Sequence, residues 1–312
     1  MEIVVVLNAA AGALLGKPIE ETVAATEAAL GHPETDVEVV SAMGPDIVPA
    51  IEKACASDAD VVMVGGGDGT IATAAEMLAG TDKALGILPL GTMNLLAKDL
   101  GIPMSLVEAI PALAAGEFRH IDIADVNGRI FLNSSLLGLF PMMVQQRERS
   151  RGHMSIGTYV RMATSALTSI SRSRRLRAEI QIDGGERRRV RSMAMAIANN
   201  AHGEGFAAFL TRASLDSGEL VLYIAKHKTP WSAIRLVAAL AAGLWRRDPE
   251  LETHKARTIT IHTRRRNLWV ANDGELHLIE TPLHFRMRPG ALKVLVPSPP
   301  SDVAVQEKEA IA

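Results

Sequence analysis

Cysteine is almost absent from this 312-residue chain, which contains only Cys55. A single thiol can form neither an internal disulfide nor a cysteine-based zinc cluster, so folds that depend on either are excluded. An unpaired cysteine is typical of a reducing compartment. We therefore expect a cytoplasmic protein in which Cys55 is a small, buried apolar residue.

Aromatic residues and long apolar runs are also scarce. Phe, Trp and Tyr make up 4% of a chain that is 48% hydrophobic, so its cores must be built from aliphatic side chains and Met. The longest apolar helix candidate, residues 231–245, contains Arg235 and is too short to span a bilayer. An apolar strand at residues 3–7 follows Met1 directly, without the basic region and cleavage site of a secretory signal. The length predicts about two domains.

Positive charge is scarce in the first part of the chain. Residues 1–122 contain 5 Lys and Arg against 18 Asp and Glu, whereas residues 147–191 contain 12 Arg against 4 acids. A triphosphate bound by the first part would need backbone amides and Mg²⁺ to neutralise it. The arginine-rich part favours bidentate phosphate contacts, and we expect an anionic membrane surface as its partner. Nucleic acid is not expected, because aromatic interleaving and binding motifs are missing.

The most informative segment is residues 61–70, where an apolar β-branched run ends in Gly65-Gly66-Gly67-Asp68-Gly69-Thr70 and an Ala-rich helix follows. Glycines let the backbone approach a ligand closely, and the helix start presents unpaired N–H groups. Asp68 adds a carboxylate suited to Mg²⁺. The pattern is neither a Walker A loop nor Gly-x-Gly-x-x-Gly. It predicts a phosphate-binding loop, with a ligand-free turn as the alternative.

Strands and helices alternate through the first 122 residues, which predicts a doubly wound α/β domain. The strands are expected at 3–7, 37–40, 61–64 and 85–88, and the helices at 19–30, 46–56, 71–79 and from about 94. A capping box at Ser105 and Glu108 begins a further helix, which Pro111 should kink or shorten. Ligands of such folds bind at the carboxyl ends of the strands, where residues 8–12, 41, 65–70 and 89–94 fall.

The second part of the chain is predicted to be mainly β. Strands are expected at 121–124, 129–133, 178–182, 190–199, 220–224, 258–262, 283–288 and 292–296, hairpin turns at 183–185 and 272–274, and helical insertions at 155–174 and 231–246. The predicted domains are 1–122 and 123–291, with 292–300 as a candidate to return to the first and a disordered tail at 301–312. The helix at 231–245 has three alternatives: internal packing, a homodimer contact or contact with lipid.

Five segments together resemble the diacylglycerol kinase catalytic-domain family of lipid kinases. They are residues 8–12, 66–70, 88–94, 100–103 and 273–275. The resemblance implies an α/β nucleotide-binding domain like those of NAD kinases and phosphofructokinases, followed by a mainly antiparallel β-sandwich that binds the lipid. It also implies an enzyme that uses ATP and Mg²⁺ to phosphorylate the hydroxyl of a lipid such as diacylglycerol, in association with the membrane periphery.

The resemblance and the local chemistry together give candidate site residues. Asp273 and Glu275 flank the permissive Gly274, and we expect each to raise the pKa of the other, as suits a base that accepts a hydroxyl proton. Asp273 is slightly favoured by position, a plain β-turn is the alternative, and Asp68 completes the catalytic set. The nucleotide is expected to contact Asn8, Ser41, Gly66, Gly67, Asp68, Gly69, Thr70, Gly91, Thr92 and Asn94.

Several of these positions have a simpler alternative. Asn8 could satisfy the backbone at its strand end, Ser41 could be a plain turn serine, and Thr92 could be an ordinary helix N-cap. In the loop at 200–205, His202 is expected to be solvent-exposed rather than a substrate contact.

Two departures from the family pattern concern metal binding. Leu95 stands where many members carry an Asp, and Ser217 replaces the second acid of a loop that the family links to a structural Mg²⁺. Asp216 with the carbonyl groups of Ser214 and Glu219 could still hold such an ion. Asp122 corresponds to an acid of a water–Mg²⁺ network, with a surface acid at a strand start as the alternative.

Two other functions remain open. One is a kinase of a soluble hydroxyl substrate, as in the NAD kinases, against which the arginine-rich part argues mildly. The other is a non-catalytic, nucleotide-responsive regulator, which Leu95 and Ser217 make conceivable. Retention of Asp68, Asp273 and Glu275 argues against the regulator.

Overall fold

A computed structural model gives the structure of the protein. It describes residues 1–14, 18–31, 35–138, 175–203, 211–227, 231–232, 235–236, 239 and 242–298. The chain divides into two compact units. Unit 1 is Met1–Ile121 with the described residues of Ala291–Ala312, and unit 2 is Asp122–Gly290. Among the described residues, none of the helices has the length and apolarity needed to cross a membrane.

Unit 1 contains a parallel sheet in the order β2-β1-β3-β4. Its strands are β1 (Glu2–Asn8), β2 (Asp36–Ala42), β3 (Val61–Gly66) and β4 (Ala84–Pro89). Leu7 of β1 lies opposite both Ser41 and Gly65, and Gly65 lies opposite Leu88. This register brings the carboxyl ends of all four strands to one edge. The structure confirms these strands and the doubly wound α/β class.

In the part of unit 1 that the structure describes, five α-helices accompany this sheet. They are α1 (Ile19–Leu30), α2 (Ile47–Ala56), α3 (Asp68–Leu78), α4 (Leu95–Asp99) and α5 (Leu106–Ala114). The predicted helices are confirmed, although α3 begins three residues before the expected Ile71. The capping box is wrong, because the Ser105 side chain makes no cap hydrogen bond. Pro111 lies inside α5, which ends three residues later, and Cys55 on α2 is half-buried rather than buried.

The chain passes from unit 1 to unit 2 within β5 (Glu117–Val126) and returns within β16 (Leu283–Val296). The last residues of β16 belong to unit 1, where Lys293 and Val294 pair in parallel with Ala84 and Leu85 of β4. Apolar residues of the strands form the core of unit 1. Every residue of β3 and β4 is buried.

Unit 2 is built from antiparallel strands in two sheets. Its further strands are β6 (Arg129–Phe131), β7 (Ser134–Gly138), β8 (Leu176–Ile182), β9 (Arg188–Ser192), β10 (Ala194–Asn199), β11 (Leu220–Ala225), β12 (Leu251–Ala256), β13 (Thr258–Thr263), β14 (Asn267–Asn272) and β15 (Glu275–Glu280). The first sheet has the order β12-β11-β10-β7-β14-β15. The second sheet contains β16-β13-β8-β9 together with β5 and β6.

One apolar core lies between these two sheets. It joins Phe131 and Phe285, whose rings meet edge to face 6.3 Å apart, with residues such as Val270 and Leu137 of the first sheet. The predicted β-sandwich is therefore confirmed. Both predicted hairpins are present, and Asp273 with Gly274 forms a two-residue turn in which both residues have positive φ, 49° and 91°.

The structure describes neither of the two predicted helical insertions in full. The insertion at 155–174 lies outside the described residues, whereas Trp231, Ser232, Arg235, Leu236 and Ala239 are helical. Leu236 and Trp245 are buried, as internal packing requires, while Trp231 and Leu244 are exposed. The homodimer and lipid alternatives for this segment stay predictions.

Candidate functional site

Three strand-end loops of unit 1 meet at the carboxyl edge of its sheet, and two of them touch through glycines. A Cβ atom built on Gly91 would lie 2.5 Å from the Cα of Gly67. A Cβ atom on Gly66 would lie 2.6 Å from the Cβ of Thr70. The loops after β3 and β4 can therefore pack backbone to backbone only because Gly91 has no side chain, whereas Gly66 leaves room for Thr70 of its own loop.

The N-terminus of α3 lies in the first of these loops. Gly67 is its N-cap, and the first helical hydrogen bond runs from Ile71 N to Gly67 O over 3.1 Å. The N–H groups of Asp68, Gly69 and Thr70 precede that bond, so the helix itself supplies them no acceptor. All three residues are partly exposed. This end of α3 is suited to phosphate oxygens, because the helix dipole adds positive potential there.

Asp68 connects the first loop with the second. Its Oδ1 accepts the N–H of Leu95 at 2.7 Å, and its Oδ2 accepts the N–H of Asn94 at 3.1 Å. Asn94 has left-handed backbone angles, φ 49° and ψ 50°, and its side-chain amide bonds both N and O of Gly91 at 2.9 Å. Sequence analysis missed this positioning role of Asp68, since its partners lie 26 and 27 residues away.

Asn8 connects the third loop to the same edge. Its Nδ2 donates to Thr70 Oγ1 at 3.4 Å, and its Oδ1 accepts the N–H of Ala10 at 3.0 Å. Ser41 is exposed near the end of β2, and Thr92 is exposed three residues before α4. Thr92 is therefore not the N-cap of α4, which is Asn94. The structure places all the predicted nucleotide-binding residues along this one edge.

The fit of Mg²⁺ to this edge depends on Asp68. Each of its carboxylate oxygens accepts one hydrogen bond from the backbone and retains a further lone pair. Mg²⁺ in proteins is commonly held by one or two carboxylates together with substrate phosphates and water, so a single acid is sufficient. Asp68 therefore fits a magnesium–phosphate complex.

The side chains of the second predicted metal set, in unit 2, are engaged by other protein groups. The carboxylate of Asp122 accepts the N–H groups of Gly218 at 2.6 Å and Gly290 at 2.9 Å. Glu219 accepts from Lys255 Nζ at 2.6 Å. Ser214 Oγ donates to Asp216 Oδ1 at 2.5 Å. Across the described ranges no group of three or more Asp, Glu, His or Cys residues could hold a metal ion.

These contacts give Asp122 a positioning role that the sequence did not reveal. It is 2% exposed, so the alternative of a surface acid is wrong. Its two hydrogen bonds fix the loop at Gly218 and the strand at Gly290. Ser217 Oγ donates to Asn200 Oδ1 at 2.6 Å, which further fixes the loop. The assignment of Mg²⁺ to Asp122, Ser214, Asp216 and Glu219 stays a prediction.

Asp273 has an enclosed carboxylate that binds the backbone. It accepts the N–H groups of Leu132 at 2.6 Å, Asn133 at 2.8 Å and Ser134 at 2.9 Å. Burial raises the pKa of Asp273, while these three N–H groups act in the opposite direction. The pKa shift thus has the predicted direction, but burial rather than repulsion by Glu275 causes it. The carboxylate holds the segment that leads into β7.

Glu275 presents the contrasting environment. It is the exposed first residue of β15 and lies opposite Asn272 across the turn. Its carboxylate forms no hydrogen bond or ion pair with any residue that the structure describes. Of the two acids, Glu275 is the one whose carboxylate oxygens are both without a hydrogen-bond partner among the described residues.

The arginine-rich part of the chain is described only from Arg175 onward. Arg189 pairs with Glu179 at 3.0 Å, and Arg188 pairs with Glu252 at 2.5 Å. Partial burial raises the pKa of Glu252, but hydrogen bonds from Lys226, His254 and Arg188 bring it down to about 2. Some of the predicted positive surface is therefore neutralised within the protein.

His202 is not solvent-exposed as expected. Its ring lies 5.9 Å from that of Tyr223, and its main-chain oxygen accepts from Arg246 at 2.8 Å. Burial, with repulsion from Arg212 and Arg246, lowers the pKa of His202 to about 4. The ring is therefore neutral at physiological pH.

Known families match both parts of the chain. Residues 2–126 match the model of the diacylglycerol kinase catalytic domain. Residues 144–296 match the model of the YegS C-terminal NAD kinase beta sandwich-like domain.

Individual relatives cover most of the chain. It is 29% identical over 279 residues to a diacylglycerol kinase of Mycobacterium tuberculosis, covering 86% of this chain and 88% of that protein. It is 30% identical over 264 residues to a probable lipid kinase YegS-like of Pseudomonas fluorescens, covering 79% and 81%. A crystal structure of a diacylglycerol kinase from Bacillus anthracis has a TM-score of 0.70 at 20% identity, covering 95% of this chain and 96% of that one, which shows a shared fold.

The two domain matches follow each other in the order of units 1 and 2, and the relatives extend through both. The glycine loops, Asp68 and the Asp273-Gly274-Glu275 turn lie within the matched ranges. The chain therefore belongs to the diacylglycerol kinase catalytic-domain family, whose members are phosphotransferases with an alcohol group as acceptor.

Proposed function

We propose that this protein is an ATP- and Mg²⁺-dependent lipid kinase that transfers the γ-phosphoryl group to the hydroxyl of a lipid such as diacylglycerol. The observation that carries the proposal is the edge of unit 1, where glycine-only contacts, the N-terminus of α3 and Asp68 converge. The named activities of the relatives support the choice of a lipid as acceptor.

We assign binding of the nucleotide to unit 1. The N–H groups of Asp68, Gly69 and Thr70 would donate to phosphate oxygens, and Asn8 would keep Thr70 in place beside them. Asp68 would hold Mg²⁺, which when bound neutralises charge on the phosphoryl group in transfer. Unit 1 is rich in acids, so backbone groups rather than Lys or Arg would bind most of the triphosphate.

We assign the proton acceptor to Glu275 and a positioning role to Asp273. A general base needs an oxygen that can reach the substrate hydroxyl, and the Glu275 carboxylate is exposed without a described partner. The Asp273 carboxylate already accepts three N–H groups. It would therefore fix the loop from Leu132 to Ser134 and the turn that carries Glu275.

Transfer of radiolabelled γ-phosphate from ATP tests the proposal. The wild type is expected to label diacylglycerol in mixed micelles with Mg²⁺ present and not after chelation, and Asp68→Ala should remove the labelling. Labelling of NAD but of no lipid would instead identify a kinase of a soluble substrate. Nucleotide binding without labelling of any acceptor would identify a regulator.

A further inference from the structure

The main chain of Leu132 contacts two oppositely charged side chains of unit 2. Its N–H donates to Asp273 Oδ2 at 2.6 Å, and its carbonyl oxygen accepts from Arg212 Nη1 at 2.5 Å. Arg212 is partly buried, so its charge is screened less than it would be in water. Leu132 therefore connects a cation with the carboxylate of the Asp273-Gly274-Glu275 turn.

The Asp273 carboxylate is an enclosed anion that forms no ion pair with any described residue. Both of its oxygens accept main-chain N–H groups, as those of an ionised carboxylate do, but these donors are neutral. An enclosed charge without a counter-charge is costly. Burial raises the pKa of this carboxyl, and the charge of Arg212 acts in the opposite direction together with the three N–H groups. Arg212 thus supplies positive charge to Asp273 without direct contact.

The main chain around Arg212 is held in a short antiparallel ladder. Arg212 lies opposite His202 in an isolated bridge, and Ala213 N donates to Ala201 O at 3.0 Å. A second arginine, Arg246, donates to His202 O at 2.8 Å from the other strand's side chain contacts. The ladder fixes the point from which the Arg212 side chain reaches Leu132.

The carbonyl group of Leu132 has a second donor, so its pairing does not depend on Arg212. Asn199 Nδ2 donates to Leu132 O at 2.8 Å, and Asn199 N donates to Asn133 O at 2.9 Å. Asn199 is 0% exposed. Removal of the guanidinium group would therefore leave the carbonyl oxygen paired. Such a variant loses one hydrogen bond and the positive charge that acts on Asp273.

We propose that Arg212 is a positioning residue for phosphoryl transfer, which balances the charge of Asp273 and thereby holds the turn that carries Glu275; this rests on the proposed function. Arg212 acts through Leu132 and Asp273 rather than on the substrate. An ionised Asp273 accepts N–H groups with both oxygens, whereas a protonated one would present a hydroxyl group to a donor. Without its counter-charge the carboxylate holds the turn less firmly, and Glu275 is less well placed to accept the hydroxyl proton.

Three substitutions of arginine test this role. Arg212→Gln removes the charge, and Arg212→Lys retains it. The matched control is Arg246→Gln, which removes an arginine bound to His202 O and leaves the bond between Arg212 and Leu132 in place. For each protein, kcat and the KM values for ATP and for dioctanoylglycerol are measured in mixed micelles, and unfolding in urea is recorded.

Arg212→Gln is expected to lower kcat about 10-fold, the scale of one lost interaction with a charged group. Both KM values should stay at the wild-type level, because the position of a base matters in the transition state rather than in binding. Arg212→Lys should recover most of the kcat, and Arg246→Gln should match the wild type. If Arg212→Gln does not fold, Arg212→Met, whose side chain is unbranched and neutral, takes its place.

A double-mutant cycle with Asp273→Asn tests the charge balance without an assay of activity. In urea unfolding, Arg212→Gln should lower the transition midpoint of the wild type and leave that of Asp273→Asn unchanged, because a neutral amide has no charge to balance. Arg246→Gln should shift the midpoint equally in both backgrounds.

Two kinetic results would overturn the positioning role: equal kcat in the wild type and Arg212→Gln, or equal losses of kcat in the Gln and Lys variants. Equal midpoint shifts of Arg212→Gln in the two backgrounds would overturn the charge balance. If the wild type phosphorylates no lipid, the proposed function fails, while the cycle still decides whether Arg212 balances Asp273. The two failures are therefore distinguishable.

Discussion

The contact between Gly67 and Gly91 predicts a strong effect from adding one methyl group. In Gly91→Ala the new Cβ would lie 2.5 Å from the Gly67 Cα and 2.8 Å from Asn94 Oδ1. Ordinary carbon–carbon contacts are about 3.5 Å or longer, so one of the two loops must move by about 1 Å. Overpacking of this kind costs about 1–3 kcal/mol. Misplacing reactants by about 1 Å can lower kcat about 10²-fold.

The matched control is Gly12→Ala, in the loop after β1, where an added Cβ meets no atom within 4 Å. Lipid phosphorylation with labelled ATP gives kcat, and calorimetry gives the Tm. Gly91→Ala should lower the Tm by about 2–12 °C, whereas Gly12→Ala should match the wild type in Tm. If Gly91→Ala kept wild-type kcat and Tm, the two loops could not pack as the structure shows, and the reasoning would fail.

Four further predictions concern single residues and one surface. Asp68→Ala should lower kcat at least about 10²-fold and, in urea unfolding, cost about 1–3 kcal/mol, because two N–H groups lose their acceptor. Glu275→Gln should lower kcat about 10²-fold while the Tm and the affinity for ATP stay at wild-type values. Asp273→Asn should also lower the Tm, because its new NH₂ group would face backbone N–H donors. Equal Tm values for the two variants would contradict the assignment of a base to Glu275 and a positioning role to Asp273. Between pH 6.5 and about 4, unfolded His202 binds a proton that the folded ring does not, so acid should destabilise the wild type more than His202→Gln in denaturant titrations. Sedimentation should show tighter binding to anionic than to neutral vesicles at low salt, if residues 147–191 contact membranes.

The carboxyl edge of the unit 1 sheet was predictable because its signals are local. An apolar run ending in glycines marks the end of β3, and the same reasoning placed β1, β2 and β4. Parallel strands bring their carboxyl ends together, so the convergence of Asn8, the glycine loops and Asn94 followed from topology. The first helix was predicted with its observed bounds, 19–30.

The strands at the edges of the second unit were harder to predict. β12 reads Leu-Glu-Thr-His-Lys-Ala and carries several charged or polar residues, so it lacks the apolar run that marked the other strands. β15, the other edge strand of this sheet, follows a turn that the sequence did reveal, yet the strand itself was not identified. β14, which precedes that turn and pairs with β7 as well as β15, was also missed, although it is not an edge strand. Edge strands need polar residues where they face solvent, which weakens their sequence signal.

The roles of the acids depended most on tertiary structure. Asp68 and Asp273 were both selected as catalytic candidates, but the carboxylates accept N–H groups that lie 26 and about 140 residues away in sequence. Nothing near either residue in the chain indicates those partners. The division between an enclosed Asp273 and an open Glu275 is likewise invisible in the sequence, where the two side chains differ by one methylene group and stand two positions apart.

The sequence by itself determined the α/β class of the first part, the β character of the second, the glycine loop between β3 and α3, and the family resemblance. These follow from hydrophobic period, glycine placement and helix starts, which act over a few residues. Only the tertiary structure decided that Asp68, Asp122 and Asp273 hold backbone segments, and that the buried Asn272 and Ser135 lie in one cross-strand row with the exposed Glu275. The physical reason is that strand register and loop packing set which distant groups meet, and burial then decides which of them must be paired.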